Sequence, residues 1–98
     1  MFFAGVIDHV VDADTVDVAG LRVRLWGIDA PEVDTEAGRR ARAWARALWT
    51  GRYVVCVVMD TDRYGRTVAK CGLAEEAIEA GHARDWPRYS GGYYGSGR

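Results

Sequence analysis

The hydrophobic pattern starts with an apolar, β-branched run from Val6 to Val11, which predicts a first strand. Asp12-Ala13-Asp14-Thr15 then reads as a turn. Val16 and Val18 alternate with Asp17, Ala19-Gly20 reverses the chain, and Leu21, Val23 and Leu25 alternate with Arg22, Arg24 and Trp26. That two-residue period predicts a hairpin. Pro31 stops the strand after Asp29-Ala30. Asp34 or Thr35 is placed to cap a helix. Along it Ala37, Ala41, Trp44 and Leu48 recur at spacings of 4, 3 and 4, which is one helical face. Gly51 ends this helix, and the valine-rich segment from Tyr53 to Met59 predicts another strand. Asp62-Arg63-Tyr64-Gly65 turns, Thr67 to Cys71 returns, and a short helix from Leu73 to Ala80 closes at Gly81. From Ser90 to Arg98 the chain is rich in Gly, Ser and Tyr and is expected to be loosely held.

Three strands, a helix, two strands and a helix suit an α+β, mainly β class: a five-stranded OB-fold Greek-key barrel with two packed helices. A split α+β sheet is the alternative. The 98 residues allow one domain, set at 1–89, with the tail at 90–98. Hydrophobic residues at 49% and charged residues at 28% exclude a disordered chain. Thirteen basic against fourteen acidic residues give a net charge of −1, which excludes a strongly basic nucleic-acid coat but leaves room for a local patch. Lys70 is the single lysine against twelve arginines. A basic set dominated by arginine favours planar, two-point recognition of phosphate or carboxylate, although codon bias would produce the same usage. No apolar run approaches the ~20 residues of a membrane span. The opening Met1-Phe2-Phe3-Ala4-Gly5 lacks the basic and apolar regions of a signal peptide. A monomer is the default.

Candidate chemistry falls into two clusters. Asp12, Asp14, Asp29, Glu32 and Asp34 sit beside turns, where carboxylates serve as turn formers and caps. If the first three strands are neighbours, Asp14 and Asp29 both lie near strand ends. Two carboxylates, a backbone carbonyl and waters form a hard-oxygen set suited to Ca²⁺ rather than zinc. Arg24 lies five residues before Asp29, and Arg66 follows the turn at 62–65. Each reads either as a structural ion pair or as a clamp on an anionic substrate, and spacing does not choose. Arg39, Arg40, Arg42 and Arg46 make a basic helix that is a solvated face or a nonspecific phosphate patch. Cys56, Cys71, His9 and His82 match no compact zinc spacing. The midpoint between Cys56 and Cys71 falls between Arg63 and Tyr64, the centre of the predicted turn. A symmetric register makes the two cysteines face each other. They are either a disulfide, which implies an exported protein, or two buried thiols in a reducing cytosol.

Three stretches, in this order, resemble the staphylococcal nuclease (thermonuclease) family. They are Asp12-Ala13-Asp14-Thr15, then Arg24-Leu25-Trp26-Gly27-Ile28-Asp29-Ala30-Pro31-Glu32, then Asp62-Arg63-Tyr64-Gly65-Arg66. The likeness spans residues 4–89 and implies an OB barrel with calcium-dependent hydrolysis of phosphodiester bonds in DNA and RNA. It implies that Asp14 and Asp29 supply the metal carboxylates and Ala30 the metal-binding carbonyl. Glu32 matches the proposed general base, and Arg24 and Arg66 match the phosphate-binding arginines. Thr15 and Tyr64 lie beside the site, and Trp86 and Tyr89 are placed to stack on a base or to close the core edge.

There are departures from the family. Ala13 stands where relatives often carry glycine, so a positive φ there would strain it. The segment at Gly72 is short, so the last strand runs almost straight into its helix. The chain then ends in a Gly-rich tail rather than a further helix. Three function classes follow. An active, sugar-nonspecific nuclease preferring single strands accounts for all five charged site positions. A non-catalytic nucleic-acid-binding module of the same fold and a purely structural interaction domain leave some of them unexplained.

Overall fold

The computed structural model describes residues 1–95. Its ten elements are β1 (Phe2–Asp12), β2 (Thr15–Val18), β3 (Leu21–Leu25), β4 (Ile28–Asp29), α1 (Glu36–Trp49), β5 (Tyr53–Thr61), β6 (Thr67–Lys70), α2 (Ala74–Glu79), β7 (Arg84–Asp85) and α3 (Pro87–Ser90). Five strands close into a barrel in the order β1-β2-β3-β6-β5, and β4 pairs with β7 as a separate two-stranded ribbon. The architecture is the mainly β, OB-like α+β barrel that the alternation of apolar positions suggested, with three short helices rather than two.

β1 closes the barrel because it is long enough to serve two partners. Its first half pairs with β5 and its second half with β2. Irregular register between Ile7 and His9 and between Val10 and Asp12 bends it. The β2–β3 hairpin turns on Ala19 at φ 48° and Gly20 at φ 81°, the left-handed pair that matches strand twist. Among the described residues Ala19 is the one non-glycine with positive φ. Ala13, fully buried, therefore carries none of the strain anticipated for it. The parallel β3–β6 pairing, with Arg24 opposite Val68, completes the closure. Ile7, Val10, Val16, Val18, Val23 and Leu25 fill the interior.

Thr35, not Asp34, caps α1: its Oγ1 accepts from Gly38 N at 3.0 Å. The buried face is Gly38, Ala41, Ala45 and Trp49. That corrects the face expected from Ala37, Ala41, Trp44 and Leu48, since Ala37 and Leu48 are exposed. Three small residues let the helix sit close to the barrel, and fully buried Trp49 plugs its end. Trp49 Nε1 donates to Glu76 Oε1 at 3.3 Å, tying α1 to α2.

Gly72, at φ 77°, reverses the chain at the short segment, so β6 does not run straight into α2 and the barrel closes. The segment after Tyr89 is also corrected. Ser90 and Tyr94 are buried, and Tyr94 Oη donates to Trp26 O at 3.0 Å. Composition hid this because one aromatic with a hydrogen-bonded hydroxyl anchors an otherwise glycine-rich stretch. Residues 96–98 of the expected tail lie outside the described residues. No helix among the described residues is long and apolar enough to cross a membrane.

Cys56 and Cys71 flank the Val57–Lys70 pair at the end of the β5–β6 ladder and are joined as a disulfide with a sequence separation of 15. Closing that loop restricts the unfolded chain. The Cys56→Ser/Cys71→Ser variant is expected to lose about 3 kcal/mol of stability, measured by urea unfolding with and without reductant. Equal stability of the two forms would show that the bond adds nothing to the hairpin.

Candidate functional site

The site forms where the β1–β2 turn, the end of β3 and β4 meet. Asp12 Oδ1 accepts from Asp14 N at 3.0 Å, which shapes the turn. This directs Asp14 toward β4. Its Oδ1 accepts the Thr15 hydroxyl at 2.9 Å, and its Oδ2 accepts Ala30 N–H at 3.1 Å. Arg24 Nη2 lies 3.6 Å from the same Oδ2. The Arg24 fork is held from behind: Nη1 donates to Leu25 O at 2.7 Å and Nη2 to Ile28 O at 2.9 Å. These two carbonyls fix the guanidinium plane at the mouth of the turn, largely buried.

Burial pushes the Asp12 carboxyl up to about 7, and the adjacent Asp14 adds to the rise through a hydrogen bond and its charge. Asp14 moves the other way. Burial raises it, but the hydrogen bond from Asp12, the Arg24 charge, the Ala30 N–H and the Thr15 hydroxyl together hold it below the ordinary carboxylate range. The pair therefore presents one ionised carboxylate and one that keeps its proton near neutrality.

Asp29 sits next to Ala30 on β4, directly opposite Arg84 on β7, with Arg84 Nη2 at 3.7 Å from its Oδ2. Beside it a cleft of about 370 Å³ is lined by Asp29, Ala30, Pro31, His82 and Arg84 among others. Trp86, half-exposed at the start of α3, lies under Arg24 with the guanidinium 6.0 Å from its ring, and Tyr89 packs edge-on against it at 4.5 Å. Trp86 N donates to Gly27 O, and Ser90 Oγ donates to buried Asp85 Oδ1, so α3 is pinned beneath the site.

Asp14, Thr15, Arg24, Ala30 and Trp86 are thus drawn into one contact group, with Asp29 adjoining it through Ala30. Glu32 is exposed, and its main-chain oxygen accepts Thr35 N at 3.0 Å and Thr35 Oγ1 at 2.6 Å. Arg66 is engaged in its own cluster. Its Nε donates to Asp62 Oδ2 at 2.6 Å, and its guanidinium lies 5.7 Å from the exposed Tyr64 ring. Desolvation raises the Asp62 carboxyl, yet the Arg66 and Tyr64 N–H groups and the Arg66 guanidinium outweigh it and keep it below the usual range. Two site residues were not singled out from the sequence. Asp12 was grouped with turn formers, although its two-residue spacing from Asp14 was the available signal. Arg84 lies on a two-residue strand, too short to show any period.

The groups on this stretch that could hold an ion are all oxygen, the Asp14 and Asp29 carboxylates and the Ala30 carbonyl, although it is the Ala30 N–H that meets Asp14. No group of three or more Asp, Glu, His or Cys side chains clusters among the described residues, so a held ion would draw its remaining ligands from water and substrate. Hard-oxygen chemistry with one ionised carboxylate fits a calcium-type cation. Arg24 beside it fits a phosphate oxygen.

Barrel and site together define a small OB-type domain with an oxygen-rich, arginine-flanked surface. The family model described as staphylococcal nuclease homologue matches residues 22–90, and the chain belongs to that family. It is 43% identical over 68 residues to Protein ParB of Escherichia coli, covering 65% of this chain and 38% of that protein. To Micrococcal nuclease of Shigella flexneri it is 40% identical over 70 residues, 67% of this chain and 40% of that protein. To Succinoglycan biosynthesis protein ExoI of Rhizobium meliloti (strain 1021) it is 35% identical over 104 residues, 89% of this chain and 54% of that protein. The chain thus spans between 38% and 54% of the length of these three relatives.

Proposed function

We propose that this chain is a calcium-dependent, sugar-nonspecific nuclease that hydrolyses phosphodiester bonds of DNA and RNA and prefers single strands. The observation that carries this reading is the contact group itself: an ionised Asp14, hydrogen-bonded by Ala30 N–H, facing the immobilised fork of Arg24. Asp14, Asp29 and the Ala30 carbonyl would hold Ca²⁺, which when bound supplies positive charge beside the scissile phosphate.

The chain's own residues do the rest. Arg24 binds a non-bridging phosphate oxygen from a guanidinium already fixed by Leu25 and Ile28 carbonyls, so little ordering is needed on binding. Arg66 exchanges Asp62 for the phosphate and adds a second fork as charge grows on the oxygens. Glu32, exposed three residues after Asp29, takes a proton from the attacking water, whose oxygen bonds to phosphorus as the bond to the leaving oxygen breaks, and that oxygen takes its proton from solvent. Thr15 supports Asp14, while Tyr64, Trp86 and Tyr89 offer aromatic faces to unpaired bases. Bases stacked in a duplex do not present those faces, hence the preference for single strands.

Heat-denatured DNA incubated with the protein is expected to be degraded with Ca²⁺ and left intact with EGTA. Glu32→Ala is expected to retain nucleotide binding and lose at least about tenfold in turnover, because general acid–base groups typically contribute more than this. Unchanged turnover removes Glu32 from the reaction. DNA retarded but intact under both conditions supports the non-catalytic binding module instead. The specific observation favouring that second reading is that Arg24 and Arg66 are each already paired with an aspartate.

A further inference from the structure

The outside of the barrel is apolar at seven consecutive outward positions where β1 and β5 pair, and it ends at exposed Asp8 on β1, which accepts Gly20 N–H, and at Asp60 and Thr61 on β5. The register sets Phe2 opposite Val57, Ala4 opposite Val55 and Val6 opposite Tyr53, with Met59 next along β5. Inward partners on the same strands are Phe3 with Cys56 and Gly5 with Val54, so the alternation is strict and the outer set is a real face. Phe2, Val6, Tyr53, Val55, Val57 and Met59 are between 40% and 74% exposed. An antiparallel sheet with one solvated face ordinarily shows polar side chains there.

Three features identify what covers this face. First is its area, roughly 500–600 Å² per copy from side chains of these sizes, at the upper end for a monomer's largest patch. Two such faces together reach roughly 1,000–1,200 Å², the lower bound of a specific interface. Second is its shape. The bulky rings of Phe2 and Tyr53 stand at diagonally opposite corners, and Ala4 and Val55 form a low centre between them. The antiparallel pair therefore has an approximate two-fold arrangement of bumps around a hollow, as a self-complementary contact requires. Third is charge. None of the seven outward positions is ionisable below the tyrosine range, and the chain's net charge is only −1, so copies do not repel one another. Lys70, opposite Val57 on β6, borders the face, but its ammonium is drawn over the Tyr93 and Trp26 rings at 4.4 and 5.5 Å.

We propose that this face binds a second copy of the chain, forming a face-to-face two-fold dimer in which Phe2 of each copy packs over the Ala4–Val55 centre of its partner. This replaces the monomer taken as the default from the sequence. Asp14, Arg24 and Ala30 belong to the other end of β1, so dimerisation leaves the site open and the proposal stands independently of the nuclease reading.

Sedimentation equilibrium of the whole chain, from about 1 µM to about 1 mM, tests this. The wild type is expected to rise from 10.8 kDa toward twice that mass. Val55→Lys, which places two ammonium groups at the centre, is expected to weaken association at least about tenfold. Phe2→Asp, at the strand end where the side chain is 74% exposed and the backbone pairing with Val57 is kept, is expected to do the same and keeps the test valid if Val55→Lys unfolds. A wild type at 10.8 kDa throughout assigns the face to a different partner and overturns the proposal, as does dimerisation of Phe2→Asp with wild-type strength.

Discussion

Arg24→Lys is expected to lower cleavage of denatured DNA by about 100- to 1,000-fold, the usual consequence of removing one charge-stabilising donor from a phosphoryl or acyl centre. The substitution keeps the positive charge, so a purely Coulombic role predicts a small effect. The geometry argues otherwise. Arg24 uses Nη1 for Leu25 O and Nη2 for Ile28 O, two carbonyls on either side of the β3–β4 connection, while Nη2 also faces Asp14. A lysine ammonium is one point on a flexible stem and cannot span both carbonyls while presenting a flat two-donor edge to phosphate. Initial rates at saturating Ca²⁺, read beside thermal unfolding, separate the parts. A large loss in kcat/KM with a small drop in Tm places the fork on the substrate. A variant within threefold of wild-type kcat/KM would mean that Arg24 only ties the β3–β4 connection together.

The same residues explain what could be read from the sequence. The Val16–Leu25 hairpin and the β5–β6 return were legible because alternation with a period of two survives wherever one strand face is buried. The centre of the second hairpin was legible from its turn residues alone. The phase of α1 was not. Ala37 and Leu48 fit a helical face as well as Gly38 and Trp49 do, and glycine adds nothing to an apolar count. The deciding features are which of the two candidate caps is used, Thr35, and a close backbone approach at Gly38, neither of which the spacing of apolar residues reports. β4 and β7 have two residues each and carry no period, so their pairing, and with it the Asp29–Arg84 contact, had no local signature. At the site, Asp14, Arg24 and Ala30 were found through an ordered motif resemblance. The opposite shifts of the Asp12 and Asp14 carboxyls depend on burial that composition does not report.

Gly38→Ala is expected to destabilise the fold by about 3 kcal/mol, at the upper end of ordinary overpacking. Helix propensity argues the reverse, since alanine is favoured over glycine in a helix interior by about 1 kcal/mol. Sterics decide the sign. A Cβ on Gly38 would lie 1.8 Å from Glu32 O, 2.4 Å from Glu32 C and 2.9 Å from Pro31 O. All three are backbone atoms, which cannot rotate away as a side-chain tip would. Gly38 has no positive φ, so the glycine is required for close approach and not for backbone conformation. To admit the methyl, either α1 must lift from the barrel, costing the packing of Ala41, Ala45 and Trp49, or the Pro31–Glu32 segment must move. The second route breaks the bonds from Thr35 N and Oγ1 to Glu32 O and with them the cap on Gly38 N. Thermal unfolding is the measurement, with a Tm lowered by about 12–24 °C expected for a domain of this size. Ala37→Gly, one residue away on the exposed side, is the control and loses only the propensity difference, a shift of about 4–8 °C. If Gly38→Ala unfolds at or above the wild-type temperature, the helix does not rest on the Glu32 carbonyl.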